Sequence, residues 1–368
     1  MVVMEWYEIL NIDEIDSPAL IVFPERVQAN IENAIRIVGH ANRLRPHVKT
    51  HKSPEVTQLM LQAGITKFKC ATIAEAEMLA QLNAPDVLVA YQLIGPKIDR
   101  YLNLIKHYPK TSFSSLVDSE IALDELSAKA TKENIRCNVF VDIDLGMHRT
   151  GIEPNPFASI LVESMHFKPS IQLIGFHGYD GHIRDNNLAI RKSNSDDSFF
   201  RMTEWINTIG LLHSVEIVCG GSPTFTVHAQ RENVTCSPGT FVYWDYTYSN
   251  IPDTGNFLQA AVLVSRVISI NERNICLDLG HKAVASENMI LNRIHILNLN
   301  GLIPKSQSEE HLVLENTLNR EVHLGDVIYG IPYHICPTVA LYDKLYIAEN
   351  NRVVGEWSNL ARSRKINF

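Results

Sequence analysis

From Asp16 to about residue 225, short apolar runs alternate with segments of helical spacing, and this rhythm limits the possible folds more than any other feature. The predicted strands are ALIVF (19–23), RLRPHVK (43–49), KFKCAT (67–72), DVLVAYQ (86–92), TSFSSLV (111–117), CNVFVDI (137–143), QLIGFHG (172–178) and VEIVCGG (215–221). Helical patterns fill 53–64, 73–83, 96–108 and 119–134. Ser53 and Pro54 suit an N-cap and first helical position, and Gly64 suits the C-terminal stop. Strands and helices in regular alternation predict parallel βαβ units. Eight such units predict an α/β fold, a closed (β/α)8 TIM-type barrel. An open sheet would carry fewer strands, and no GxGxxG turn marks a dinucleotide site.

After about residue 250 the rhythm changes. Strand-like stretches at 260–270, 273–279, 293–299, 310–316, 327–332 and 344–358 follow one another with little helix between them, and AENNRVVG (348–355) reads as a hairpin turn. A chain of 368 residues exceeds the usual size of a single core. The predicted organisation is a barrel over 16–248 and a mostly β C-terminal domain formed by 1–15 and 249–368. A net charge of −8 weighs against nucleic acid or an anionic membrane as partner. No apolar stretch is long enough for a membrane span, and the N-terminus lacks the basic-then-apolar pattern of a signal peptide. The six cysteines are scattered without a CxxC pair, which argues against a disulfide framework and for a reducing cytoplasm.

Five motifs could carry chemistry. In RPHVKTHK (45–52), strand alternation puts Arg45, His47, Lys49 and His51 on one face. If that face is the barrel interior, Lys49 sits among positive charges. Desolvation and like charge lower a lysine's pKa and make its amine nucleophilic near neutral pH. In GFHGYDGHIRD (175–185), His177 or His182 could act as a general base or stack on a planar ligand with Tyr179, and His182 is the better catalytic candidate. CGGSPTF (219–225) and CSPGTFVYWD (236–245) offer glycine turns and the hydroxyls of Ser222, Thr224 and Thr240, which suit a phosphate near the last strands. In IPYHICPTV (331–339), His334 and Cys336 alternate and could share Zn²⁺, with Asp245, Glu310 or His311 completing the set. Arg149, at a strand end in VDIDLGMHRTG, could hold a carboxylate or a cofactor oxygen, or simply pair with Asp142 or Asp144.

Taken together, DSPALIVF, RPHVKTHK, DIDLGMHRTG, GYDGH, GGSPTF, SPGTFVYWD, DLGHKAVASE, SEEHL and GIPYHICPTV resemble, in order and over nearly the whole chain, the metal-activated D-threonine aldolases and D-serine dehydratases. These are fold-type III pyridoxal-phosphate enzymes with an alanine racemase-like barrel. The resemblance implies that Lys49 forms the Schiff base with pyridoxal 5'-phosphate, and that Gly221, Ser222, Thr224, Gly239 and Thr240 hold its phosphate. It places Arg149 beside the ring oxygen and Tyr179 near the cofactor, and gives His182 the role of base. His334 and Cys336 would bind a divalent metal, zinc by ligand softness or manganese by family habit.

The implied activity is a lyase acting on a small D-β-hydroxy amino acid. GYDGH and DLGHKAVASE lean toward the aldolases, which release glycine and an aldehyde. His-x-Cys leans toward the zinc-dependent dehydratases, which turn D-serine into pyruvate and ammonia. A homodimer is the implied assembly. A racemase on this fold would want a second base, commonly a tyrosine, and would not need His334 or Cys336. Small cofactor-homeostasis barrels lack the C-terminal β domain.

Overall fold

The computed structural model describes residues 4–368. After β1 (Ala19–Val22) come seven parallel strands: β2 (Lys67–Cys70), β3 (Asp86–Gln92), β4 (Ser112–Val117), β5 (Cys137–Ile143), β6 (Ile171–Gly178), β7 (Glu216–Cys219) and β8 (Val234–Cys236). Each pairs with the next in sequence order, as right-handed βαβ units require. Helices Pro54–Gln62, Ile73–Gln81, Pro96–His107 and Glu120–Lys132 fall where the spacing predicts them.

The gap between β8 and β2 is closed by an extended piece of chain. Leu44 bridges Cys236 and His47 bridges Lys69, both in parallel sense. The Arg45 N–H donates to the Cys236 carbonyl at 2.8 Å, and the Lys69 N–H to the Pro46 carbonyl at 2.8 Å. Pro46 has no N–H to give a ladder, so RLRPHVK closes the curled sheet without becoming a regular strand. The chain then tightens into a single 3₁₀ turn at Val48–Thr50.

One predicted barrel strand lies elsewhere. β1 pairs antiparallel with β9 (Ala261–Asn271), and parallel with a strand near the C-terminus, Lys344–Glu349. All four β1 residues are buried, and a central strand covered on both faces has the same uninterrupted apolar run as a barrel strand. β8, only three residues long, is too short to show a period and was absent from the predicted set.

The C-terminal domain is a nine-stranded sheet. Following β9, it contains β10 (Asn274–Leu277), β11 (Ile294–Ile296), β12 (Leu302–Gln307), β13 (Leu312–Asn316), β14 (Val327–Pro332), β15 (Lys344–Glu349) and β16 (Arg352–Ser358). β15 and β16 form the expected hairpin. Asn350 and Asn351 at its tip both take positive φ, 49° and 59°, matching the backbone twist a two-residue turn demands. β12 escaped the sequence pattern because Pro304 interrupts it. It is an edge strand with an irregular register beside that proline, where the missing N–H is tolerated.

Inside the barrel, charge and apolar bulk lie in separate layers. At the N-terminal ends of the strands the fully buried Arg45 guanidinium grips both Asp86 oxygens, at 2.7 and 2.9 Å, and reaches Glu216 at 3.0 Å. Lys67 and the Thr235 hydroxyl also reach Glu216, at 2.9 and 2.7 Å. Above them Leu88, Leu116, Phe140 and Val218 fill the centre. Burial would raise the Glu216 pKa, but Arg45 and Lys67 hold it below the ordinary glutamate value. A depressed carboxylate stabilises above its unfolded pKa, and that contribution is lost as pH falls through the folded one. Glu216→Gln is therefore expected to lower unfolding free energy in urea by about 2 kcal/mol at neutral pH. The difference from the parent should shrink as pH falls below the carboxylate range.

Candidate active site

At the opposite, C-terminal ends of the strands a cavity of about 780 Å³ separates the barrel mouth from the C-terminal domain. This is where barrel enzymes build their sites. The 3₁₀ turn after Pro46 sets the position of Lys49. His47 Nδ1 accepts from the Lys49 N–H at 3.3 Å, and Val48 and Thr50 are buried, which leaves the Lys49 side chain to enter the cavity.

The single-faced cationic stripe is thus divided. Arg45 serves the barrel bottom, while His47 and Lys49 line the cavity. His51 is fully buried; its Nδ1 accepts from the Ser53 N–H at 3.1 Å, and burial lowers its pKa to about 3, so it is neutral. Lys52 also borders the cavity, in an ion pair with the buried Glu75.

Tyr179, just beyond β6, is the centre of the constellation. Lys49 Nζ lies 5.9 Å from its ring centre, Lys69 Nζ also 5.9 Å, and the Arg149 guanidinium 5.1 Å. Arg149 pairs with neither Asp142 nor Asp144. Asp142 accepts from His177 Nδ1 at 2.7 Å, and Asp144 is taken up by Gly146 N–H, His148 N–H and the His148 ring. Among the described residues the guanidinium has no ion-pair partner, which leaves it able to meet an anion.

The two glycine turns also border the cavity. A Cβ at Gly221 would come within 2.9 Å of the Tyr179 ring, and one at Gly239 within 2.9 Å of the His47 carbonyl, so glycine is required at both. Ser222, Ser237 and Thr240 add hydroxyls to the same wall. A cradle of small residues and hydroxyls, an arginine, a planar aromatic ring and a facing lysine fit pyridoxal phosphate.

Thr224 and His182 do not join this group. Thr224 is buried beneath the turn, its hydroxyl donating to Asp180 at 2.6 Å. Asp180 also holds His228 at 2.7 Å and the Gly221 N–H at 3.4 Å. Burial would raise the Asp180 pKa, but His228, Thr224 and Gly221 bring it down to about 2, so an ionised carboxylate braces the glycine turn from below. Asp180 and Ile183 are both buried and joined by a backbone hydrogen bond, which turns the intervening His182 outward. There it is exposed beside Gly146, outside the cavity.

His334 and Cys336 form part of the facing wall, on the loop and short helix Ile335–Val339 after β14. Asp245 accepts from the Ile335 N–H at 3.2 Å and ties this loop to the barrel. Cys336 Sγ lies 3.2 Å from Thr50 Oγ1, one residue from Lys49. Burial would push the His334 pKa down, yet its hydrogen bond to Cys336, with Asp245 and Glu287 nearby, raises it to about 9. Burial likewise opposes ionisation of Cys336, but His334, Lys49 and Thr50 bring its thiol below the ordinary value.

His334 Nδ1 contacts Glu287 Oε1 at 2.5 Å, an arrangement that orients imidazole ligands in metal sites. Among the described residues no group of three or more His, Cys, Asp or Glu is gathered closely enough to hold a metal ion. Glu310 pairs with Lys282 and lies outside the cavity, as does His311, while the Asp245 carboxylate is occupied by backbone N–H groups. An imidazole beside a thiol whose pKa its neighbours lower still fits a divalent ion of borderline softness with its other positions open.

Sequence reasoning missed Lys69, Glu287, Arg184 and Arg364, all of which border the cavity. Three of them lay in quoted segments, Lys69 in the strand KFKCAT, Arg184 in GFHGYDGHIRD and Glu287 at the end of DLGHKAVASE, but none stood out by spacing. A wider cleft, of about 1000 Å³, runs between helices Pro156–Ser164 and Leu188–Thr208 but contains no lysine or cysteine, and its one histidine, His148, is paired with Asp144.

Residues 23–247 match the family described as "Alanine racemase, N-terminal domain", and residues 260–348 match "Putative serine dehydratase domain". The chain is 25% identical to the 3-hydroxy-D-aspartate aldolase of Paracoccus denitrificans strain Pd 1222, over 95% of this chain and 93% of that one. Its fold is similar to the D-threonine aldolase of Filomicrobium marinum, with TM-score 0.85 at 23% identity over 97% and 98% of the two chains. It is also similar to the D-threo-3-hydroxyaspartate dehydratase of Delftia sp. HT23, with TM-score 0.81 at 20% identity over 94% and 98%. With the matched model spanning more than half its length, the chain belongs to the alanine racemase N-terminal-domain family, the fold-type III pyridoxal-phosphate proteins.

Proposed function

We propose that this chain is a pyridoxal-phosphate- and divalent-metal-dependent lyase that cleaves D-β-hydroxy amino acids to glycine and an aldehyde. The observation that carries the reading is the Lys49 turn, which faces the His334–Cys336 pair across one cavity; Cys336 contacts Thr50, the residue after Lys49. A racemase has no use for that pair. The relatives include aldolases acting on such substrates.

Bound pyridoxal phosphate would supply an electron sink for charge developing at the substrate's α-carbon, and a metal would polarise the β-hydroxyl. The protein's own groups do the remaining work. Lys49 would hold the cofactor and, when released, deliver a proton to the α-carbon as the Cα–Cβ bond breaks, the β-hydroxyl proton passing to solvent. Arg149 would neutralise an anionic oxygen near Tyr179, while Ser222, Gly221, Gly239 and Thr240 would hold the phosphate. His334 and Cys336 would hold the metal, zinc or manganese, on the opposite wall. His182 lies outside the cavity, so it is not assigned the role of base.

A second reading, a dehydratase giving pyruvate and ammonia from D-serine, is favoured by the thiol of Cys336, a soft ligand that suits zinc. We also take the protein to be a cytoplasmic homodimer. In the described residues no helix is long and apolar enough to cross a membrane.

The deciding experiment incubates the protein and pyridoxal phosphate, with Mn²⁺ or Zn²⁺, separately with D-threonine, D-serine and 3-hydroxy-D-aspartate. Glycine with an aldehyde is the expected outcome. Keto acid with ammonia would establish the dehydratase instead, and racemisation without metal would defeat both lyase readings.

A further inference from the structure

The cavity floor carries an amine that none of these roles uses. Lys69, at the end of β2, is 3% exposed, borders the cavity, and has no ion-pair partner among the described residues. Among the described residues the one hydrogen bond of its amine is with His177 Nε2 at 3.3 Å. His177 Nδ1 lies 2.7 Å from Asp142 Oδ1. With the Asp142 oxygen as acceptor, Nδ1 carries the ring proton and Nε2 presents its lone pair to Lys69. The amine therefore donates one N–H to His177, and the rest of its bonding capacity is turned toward the cavity.

Its charged surroundings explain why this matters. Lys49 and Arg45 repel a proton on Lys69, while Asp142 attracts one; Cys219 is kept a neutral thiol by burial. His47 and His177 face it as well, and both are driven toward their neutral forms by burial. Burial is the largest influence on Lys69 and, with Lys49, lowers its pKa to about 7. An ammonium buried without a counter-ion is costly, and an anion brought into the cavity removes much of that cost.

We infer that Lys69 is a binding residue for the anionic cofactor, a donor that takes up a proton as the cofactor enters and is held in place by His177 and Asp142. The inference rests on reading the cavity as a pyridoxal-phosphate site. By linkage, affinity should then fall as pH rises above neutrality, because the empty cavity holds the neutral amine there and binding must draw a proton from solution.

The probe is pyridoxine phosphate, which has no aldehyde and forms no link to Lys49. Its binding is measured by calorimetry at about pH 8 in two buffers of different ionisation enthalpy, which reports the protons taken up. Lys69→Met is expected to bind roughly tenfold more weakly and to take up about one proton less than the parent. Lys69→Arg keeps the charge at every pH, so it should bind without the extra uptake; it also carries the test if the methionine variant fails to fold. Equal uptake by the parent and by the variants that fold would overturn the inference for Lys69 alone. Failure of the parent itself to bind the probe would overturn the cofactor reading and this inference with it.

Discussion

Lys49→Ala is expected to lower turnover by on the order of 10⁴-fold, and to abolish the visible absorbance of a lysine-linked cofactor. The effect is large because one amine would serve two purposes. It would hold the aldehyde cofactor covalently, and once released it would be the base or acid nearest the substrate's α-carbon. The cavity holds another amine facing the same ring, Lys69, at the same 5.9 Å from the Tyr179 centre. The two differ in freedom. Lys69 is 3% exposed and hydrogen-bonded to His177, whereas Lys49 is partly exposed on a turn whose backbone is fixed by His47. Borohydride reduction of the loaded protein, followed by peptide mapping, should therefore label Lys49. Label on Lys69 would reverse the two assignments. The glycine turns and Arg149 remain in Lys49→Ala, so it should still bind the cofactor non-covalently, and a small added amine should restore part of its activity.

Why Lys49 was legible and Lys69 was not has a physical explanation. RPHVKTHK draws notice through its density of charge, although its residues do not act as one face. Pro46 removes the ladder bond and the 3₁₀ turn breaks the alternation, so Arg45 ends at the barrel bottom and His51 inside the protein, neutral. KFKCAT keeps its alternation. Lys67 and Lys69 do lie on one face of β2, the first paired with Glu216 at the bottom and the second at the cavity floor. Two lysines in a strand look like a solvated edge unless the strand is known to lie in a closed barrel. That knowledge comes from contacts as remote in sequence as Leu44 with Cys236.

The same limit explains ALIVF. Its composition establishes a strand buried on both faces but does not distinguish the two sheets that could bury it. The barrel rhythm and the hairpin at Asn350–Asn351 were readable because each rests on local spacing, whereas the strand alternation expected for His334 and Cys336 does not hold, since Cys336 lies in the short helix Ile335–Val339. The outward position of His182 was not readable, because it follows from Asp180, which is anchored by His228, 48 residues away in sequence.

Removing either proposed metal donor, by His334→Ala or Cys336→Ala, should cost about 4 kcal/mol of transition-state stabilisation, roughly a 10³-fold fall in lyase turnover. The lysine-linked absorbance should persist, since neither residue belongs to the glycine cradle. Loss of metal with retention of cofactor is the signature to seek, read by elemental analysis beside the visible spectrum. Glu287→Gln is the milder companion. It leaves both donors but weakens the contact that orients the His334 ring, and a loss of about 10–100-fold in metal affinity is expected. Cys336→Asp exchanges a soft donor for a hard one of similar reach, so its activity should shift from Zn²⁺ toward Mn²⁺ rather than vanish. Full lyase activity in both alanine variants would mean that the facing wall holds substrate rather than metal. In that case the β-hydroxyl would have to be polarised by the cations that remain in the cavity, of which Arg184 and Arg364 lie outside every other role assigned to the site.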